Sequence, residues 1–149
     1  VAFGEALKPE FRDYAKQIVK NAKVLAEELQ ALGFILQGNG TENHLVLVDC
    51  VSSFGFDGKV YEKALDKAGL TLNANALATD KGGAFIPSGV RLGTPAITTR
   101  GFKEKEMKVL AGWMKRVADI CKDGGSDEEL AKIREEVEEL ALKFPVPGI

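Results

Sequence analysis

The chain has 149 residues, 45% of them hydrophobic and 28% charged, which is the balance of a globular domain large enough to bury its own core. Its formal net charge of -2 and isoelectric point near 5.6 argue against a nucleic-acid or anionic-membrane partner. No apolar run approaches the roughly 20 residues that span a bilayer, so no membrane partner is expected.

The N-terminus, the two cysteines and the single histidine indicate the expected compartment and the absence of a metal site. The sequence starts at Val1 without Met and without a basic region followed by an apolar one, so we expect a fragment that has no secretory signal. Cys50 and Cys121 match no paired metal or redox spacing, which predicts two reduced thiols in the cytoplasm or an organelle matrix. His44 is the single histidine, so we expect no metal site and assign it a structural role at the start of a strand.

The first predicted element is a long helix. Apolar residues recur every three or four positions from Pro9 to Leu32, and Gly33 suits the left-handed position after a helix end. Such a helix is about 35 Å long at 1.5 Å per residue. We therefore predict an interdomain linking helix over 1–32 and a small C-terminal domain over 33–149.

Short elements follow. Residues 34–37 and 44–49 predict two strands, and the second is apolar enough to be covered on both faces. Asp57 can cap a helix that runs to Ala68, and 70–73 is a third strand candidate. Residues 74–88 show no periodicity and predict a long loop, of the kind that is often functional.

The C-terminal half predicts one strand and two helices. Val90 to Leu92 alternate as a strand that turns Arg91 to the opposite face from its neighbours. An apolar stripe predicts a helix over 103–122, and Ser126 with Glu129 forms a capping box for a last helix. The order of elements predicts an α/β (α+β) two-layer fold, a small mostly antiparallel sheet covered by helices.

One site stands out from the residue types alone. Arg91 lies on a strand between glycines, after an irregular loop, where a guanidinium can hold a carboxylate through two parallel hydrogen bonds. The alternative is an arginine paired with a surface Asp or Glu. The glycines at 82–83 and 89–93 match no phosphate-binding motif, and Lys81 is expected to be a solvated loop lysine rather than a Schiff base.

A family resemblance rests on a long motif. The stretch Pro87–Phe102, PSGVRLGTPAITTRGF, resembles the C-terminal signature of serine hydroxymethyltransferases. Gly40–Asp49, Gln17–Ala22 and Asn73–Asn75 are similar to other stretches of that family. The resemblance covers nearly the whole chain and is weakest after Cys121.

The resemblance implies a function for the parent protein. It implies the small domain of a pyridoxal-phosphate enzyme of the aspartate-aminotransferase fold, which interconverts serine and glycine and transfers a one-carbon unit to or from tetrahydrofolate. By position in the motifs, Arg91 would bind the substrate carboxylate. Asn75 would contact the folate, Phe85 would line that site, and Arg100 would lie near the active site. The parent would be a homodimer or tetramer in which this chain packs on its own N-terminal large domain.

Two observations limit the resemblance. Asn73-Ala74-Asn75 stands where the family usually has Asn-Lys-Asn, and residues 81–84 differ from the commoner forms. The family's Schiff-base lysine motif and pyridinium-binding aspartate do not occur in the chain, so we expect no catalytic residue here and an inactive isolated fragment. The alternative is a free-standing regulatory or amino-acid-binding module with the same fold.

Overall fold

The structure, a computed structural model, describes residues 1–78, 80 and 85–148. The helices in these residues are α1 (Ala2–Ala6), α2 (Pro9–Ala31), α3 (Cys50–Phe54), α4 (Gly58–Lys67), α5 (Pro95–Thr99), α6 (Glu104–Asp123) and α7 (Asp127–Leu142). The strands are β1 (Ile35–Leu36), β2 (Leu45–Asp49), β3 (Asn73–Asn75) and β4 (Gly89–Gly93). A short 3-10 turn, Gln37–Asn39, follows β1.

The four strands form one antiparallel sheet in the order β1-β2-β4-β3. One face is fully buried, since Val46, Val48 and Val90 have no exposed surface. Helices α2 and α4 contact the sheet, α6 packs against both of these helices, and α7 packs against α4 and α6. The predicted two-layer α/β fold, a small antiparallel sheet covered by helices, is confirmed.

The long helix α2 is partly a core element. Pro9 is its first residue, and Gly33 follows its end with φ of 88°. Its C-terminal half buries Leu25, Ala26 and Leu29 in the same core as the sheet. The first half is exposed on most sides, so only this half is available to link another domain; the division at residue 32 stays a prediction.

The structure differs from the sequence prediction in the short elements. The helices α1, α3 and α5 are not predicted by the apolar pattern, because five residues are too few to show a helical period. Strand β3 begins at Asn73 rather than residue 70, since Leu70 and Leu72 pack against the core instead. Strand β2 is covered on one face only within the described residues: Leu45 and Leu47 are half-buried.

Two caps explain why the predicted helices start where they do. Asp57 accepts a hydrogen bond from the Val60 N–H at 2.9 Å, and Ser126 with Glu129 forms the predicted capping box of α7. Each cap satisfies an N–H group that has no partner inside its helix. Gly124, with φ of 66°, ends α6 in the left-handed region.

An ion pair between α2 and α6 makes the fold sensitive to acid. Lys20 bonds to Glu104, and this hydrogen bond lowers the pKa of the Glu104 carboxyl to about 2. A carboxyl with a lowered folded-state pKa stabilises the fold above its unfolded value, about 4.3. That contribution is lost as the pH falls from about 4 towards 2.

We expect Glu104→Gln to make the melting temperature depend less on pH between pH 4.5 and pH 2. The melting temperature of the unchanged chain should fall more steeply between pH 4.5 and pH 2 than that of the variant, as followed by circular dichroism. Glu135→Gln, on an exposed part of α7, is the control and should leave the pH dependence of the melting temperature unchanged. An equal fall in melting temperature over this pH range for the unchanged chain and Glu104→Gln would contradict the role given to the Lys20–Glu104 pair.

Candidate functional site

The sheet face opposite the core is the candidate site. The register places Leu47, Arg91 and Asn73 side by side in one row across β2, β4 and β3. The next row brings Asp49, Gly89 and Asn75 into line. Because paired residues in a sheet project to the same face, these side chains lie opposite the buried Val90. We name this surface the open face.

Arg91 is the cation of the open face. It is exposed, and within the described residues it makes no ion pair and no side-chain hydrogen bond. A carboxylate on the same face, Asp49, is engaged elsewhere: its two oxygens accept from the N–H and hydroxyl of Ser52, each at 2.8 Å. The surface ion pair considered as the alternative for Arg91 is thus not found in the described part of the chain.

Asn75 lies diagonally across from Arg91. Since Asn75 pairs with Gly89, and Arg91 is two residues further along β4, the two side chains share the open face at a separation of about 7–8 Å. The Asn75 side-chain amide donates to the Ala76 carbonyl at 2.7 Å. The structure therefore brings these two predicted site residues together.

Phe85 lies at the end of the long loop. Its side chain is 86% exposed, and its carbonyl accepts a hydrogen bond from Lys59 Nζ at 2.8 Å. Asp80 draws the two limbs of the loop together, because one of its oxygens accepts from the N–H groups of Leu77 and Ser88, both at 3.0 Å. Residues 81–84, including the Lys81 considered above, lie outside the described residues.

Arg100 has a different environment from Arg91. Its guanidinium donates to the carbonyls of Phe144 at 2.7 Å and Ala141 at 2.6 Å, and so binds the C-terminal end of α7. A cation there also interacts favourably with the helix dipole. Both arginines border a cleft of about 440 Å³ with mainly apolar walls, whereas Asn75 and Phe85 do not line it. The proximity of Arg100 to an active site stays a prediction.

The second half of the motif, 94–102, builds a buried polar network. Asn21 of α2 is fully buried and donates to Thr98 Oγ1 and to the Phe102 carbonyl, both at 2.9 Å. Thr94, also fully buried, donates to the Ile18 carbonyl at 2.8 Å. These bonds attach α5 to α2 and fix the end of β4. The sequence signal for this contact is an asparagine inside the apolar stripe of α2, a feature that apolar periodicity alone does not interpret.

The described residues offer little else to a cofactor or metal. They contain no group of three or more His, Cys, Asp and Glu side chains that could hold a metal ion. Cys50 is buried, and burial together with Asp49 raises the pKa of its thiol to about 12, so it is not a nucleophile. No helix in the described parts of the chain is both long and apolar enough to cross a bilayer.

Comparison with known proteins agrees with the motif. The family model for serine hydroxymethyltransferase matches residues 1–114. The chain is 50% identical over its whole length to a serine hydroxymethyltransferase of Acidothermus cellulolyticus and spans 35% of that protein. It is 46% identical over 98% of its length to one of Alkalilimnicola ehrlichii, of which it spans 34%. This chain belongs to the serine hydroxymethyltransferase family.

Proposed function

We propose that the chain acts as the C-terminal part of an enzyme that interconverts serine and glycine, with transfer of a one-carbon unit to or from tetrahydrofolate. The chain spans about a third of the relatives it matches, so the rest of the enzyme would come from the other two thirds. In this proposal the chain binds and orients the substrate and does not carry out the bond-breaking step.

The observation that carries the proposal is the state of Arg91. It is an exposed arginine at the centre of the open face, and in the described part of the chain no acidic side chain neutralises it. A planar guanidinium in that state can hold an amino acid carboxylate through two hydrogen bonds. Fixing the carboxylate sets the orientation of the bonds at the α-carbon, which is a large part of what an enzyme gains by positioning.

The folate would lie against the neighbouring residues. Asn75 offers a side-chain amide on the open face, diagonal to Arg91, and Phe85 offers an exposed ring at the loop end. An amide and an aromatic ring suit a planar heterocycle with polar edges, since one bonds to the edge and the other stacks on the face. Alanine stands at position 74 in place of the family's usual lysine, but it pairs with the buried Val90 and so lies on the face opposite Asn75.

Pyridoxal phosphate, the cofactor that the family implies, does not fit the open face. The described part of that face carries Arg91 but no lysine that could hold the cofactor covalently. We therefore assign the cofactor to the large domain outside this chain. The exposed Ile35 and half-buried Leu45 and Leu47 on the same face are the apolar contacts that such a domain would cover.

The remaining partners follow from the same proposal. The enzyme would act as a homodimer or tetramer, with serine or glycine and tetrahydrofolate as its small-molecule partners. The described structure records both cysteines as free thiols, which supports a reducing cytoplasm or organelle matrix.

The test is Arg91→Lys in the full-length enzyme. An ammonium keeps the charge but cannot make the forked contact, so serine and glycine should bind about 10- to 100-fold more weakly, the equivalent of one charged hydrogen bond. The measurement is the dissociation constant from the absorbance change of the bound cofactor on titration with each amino acid.

The matched control is Arg134→Lys. Arg134 is an exposed arginine of α7 that pairs with Glu138, far along the chain from the open face. It should leave both dissociation constants unchanged. Saturation of Arg91→Lys by serine at the concentrations that saturate the unchanged enzyme would overturn the proposal.

A further inference from the structure

Helix α4 contacts both segments that are proposed to form the folate wall. Glu62 of this helix accepts a hydrogen bond from the Ala74 N–H at 2.9 Å, and Lys59 donates to the Phe85 carbonyl at 2.8 Å. Building on the proposed function, we infer that Lys59 and Glu62 are positioning residues, which hold Phe85 and Asn75 for the reduced folate without touching it.

Glu62 completes the outer edge of the sheet. β3 is the last strand in the order β1-β2-β4-β3, and the N–H of its central residue, Ala74, bonds to Glu62 at the edge that no strand pairs with in the described sheet. Asn73 and Asn75 flank Ala74 and project onto the open face. Because a three-residue strand has few ladder bonds of its own, the bond to Glu62 fixes the height and twist of both asparagines.

Lys59 holds the other segment through its backbone. The Phe85 ring is 86% exposed, so its own packing cannot fix its position. The Phe85 carbonyl accepts a hydrogen bond from Lys59 Nζ. Two residues further on, the Pro87 carbonyl accepts one from the Gly58 N–H at 2.8 Å. The loop end is therefore tied twice to the first turn of α4.

The helix itself is a rigid platform for these bonds. Tyr61 lies between the two positioning residues, is fully buried, and donates its hydroxyl to the Met114 carbonyl of α6 at 2.6 Å. Lys59 and Glu62 are three residues apart, so they lie on the same side of the helix. One fixed element thus sets the positions of the proposed amide and the proposed aromatic contact at the same time.

Four variants of the full-length enzyme test the inference. Glu62→Ala and Lys59→Met remove the bonds, whereas Glu62→Gln keeps an acceptor for Ala74 and Lys59→Arg keeps a donor for Phe85. Lys63→Met, an exposed lysine on the same helix, is the control. The readouts are the dissociation constant for tetrahydrofolate by calorimetry in the presence of glycine, and that for serine from the cofactor absorbance.

Glu62→Ala and Lys59→Met should each weaken tetrahydrofolate binding about tenfold, which corresponds to the loss of one charged hydrogen bond. Both should leave the dissociation constant for serine within about twofold of that of the unchanged enzyme. The conservative variants and Lys63→Met should match the unchanged enzyme. An equal loss of serine and tetrahydrofolate binding in Glu62→Ala and Lys59→Met would mean a general structural role and would overturn the inference.

Asn75→Ala separates this inference from the proposed function. If Asn75→Ala weakens tetrahydrofolate binding but Glu62→Ala and Lys59→Met do not, the positioning role is wrong and the folate wall stands. If Asn75→Ala also binds tetrahydrofolate normally, the folate wall is wrong and the positioning role falls with it. Faster hydrogen exchange of the Ala74 amide in Glu62→Ala, with protection kept in Glu62→Gln, would support the bond directly.

Discussion

Gly58→Ala is expected to destabilise the chain by about 3 kcal/mol or more, because α4 leaves no space for a side chain there. A Cβ on Gly58 would lie 1.9 Å from the Gly89 carbonyl oxygen and 3.0 Å from that of Pro87. Both are backbone atoms, so neither can rotate aside. The helix would have to move away from β4, and the buried contacts of Tyr61 and Leu65 would open with it.

Urea unfolding followed by circular dichroism measures this effect, and the chain contains a matched control. Gly112 lies in the interior of α6, and a Cβ there would meet no atom within 4 Å. Gly112→Ala should therefore stabilise the chain by about 0.5–1 kcal/mol through helix propensity. Equal effects of the two substitutions would show that the close contact of α4 with β4 is wrong.

The change Asn21→Leu is expected to cost about 3–4 kcal/mol, although leucine has nearly the same size and favours a helix. The Asn21 amide donates to Thr98 Oγ1 and the Phe102 carbonyl, and its oxygen accepts from Gln17 Nε2 at 2.9 Å. Leucine leaves the buried Phe102 carbonyl without its donor and the part-buried Gln17 amide without its acceptor, whereas the Thr98 hydroxyl keeps its bond to the Thr94 carbonyl. Each buried polar group without a partner costs about 1–3 kcal/mol.

The free energy of unfolding of Asn21→Leu is compared with that of Glu27→Leu, on the exposed side of the same helix. The control should change stability by less than about 0.5 kcal/mol. Adding Thr98→Val to Asn21→Leu should cost less than the sum of the single changes, because both remove the same bond. Additive costs would place Asn21 outside the network.

These two predictions give the family motif a physical meaning. Gly89 is the residue that α4 approaches, and Thr94, Thr98 and Phe102 are the partners of α2. Only Arg91, in the middle, turns to the open face without a partner in the described residues. Most of the motif therefore holds β4 and α5 in place, so that one side chain points in a fixed direction.

Local signals in the amino-acid sequence are enough to predict the long elements and the family. Period and caps in the sequence predict α2, α4, α6, α7 and the strands β2 and β4, because long amphipathic segments and capping side chains are local signals. The same holds for Arg91, whose position between two apolar strand residues fixes the face it lies on. The sixteen-residue motif predicts the family that the comparisons confirm.

Which residues meet depends on the folded chain and not on any local pattern. The register of β3 against β4 puts Asn75 beside Arg91, and that pairing depends on packing between segments about 15 residues apart, which no local period encodes. Arg91 and Arg100 look alike in the motif, yet one lies on the open face and the other binds the end of α7 more than 40 residues away. Long-range contacts separate the arginine that is proposed to bind substrate from the one that holds the end of α7, because burial and partners, rather than residue type, set what a charge can do.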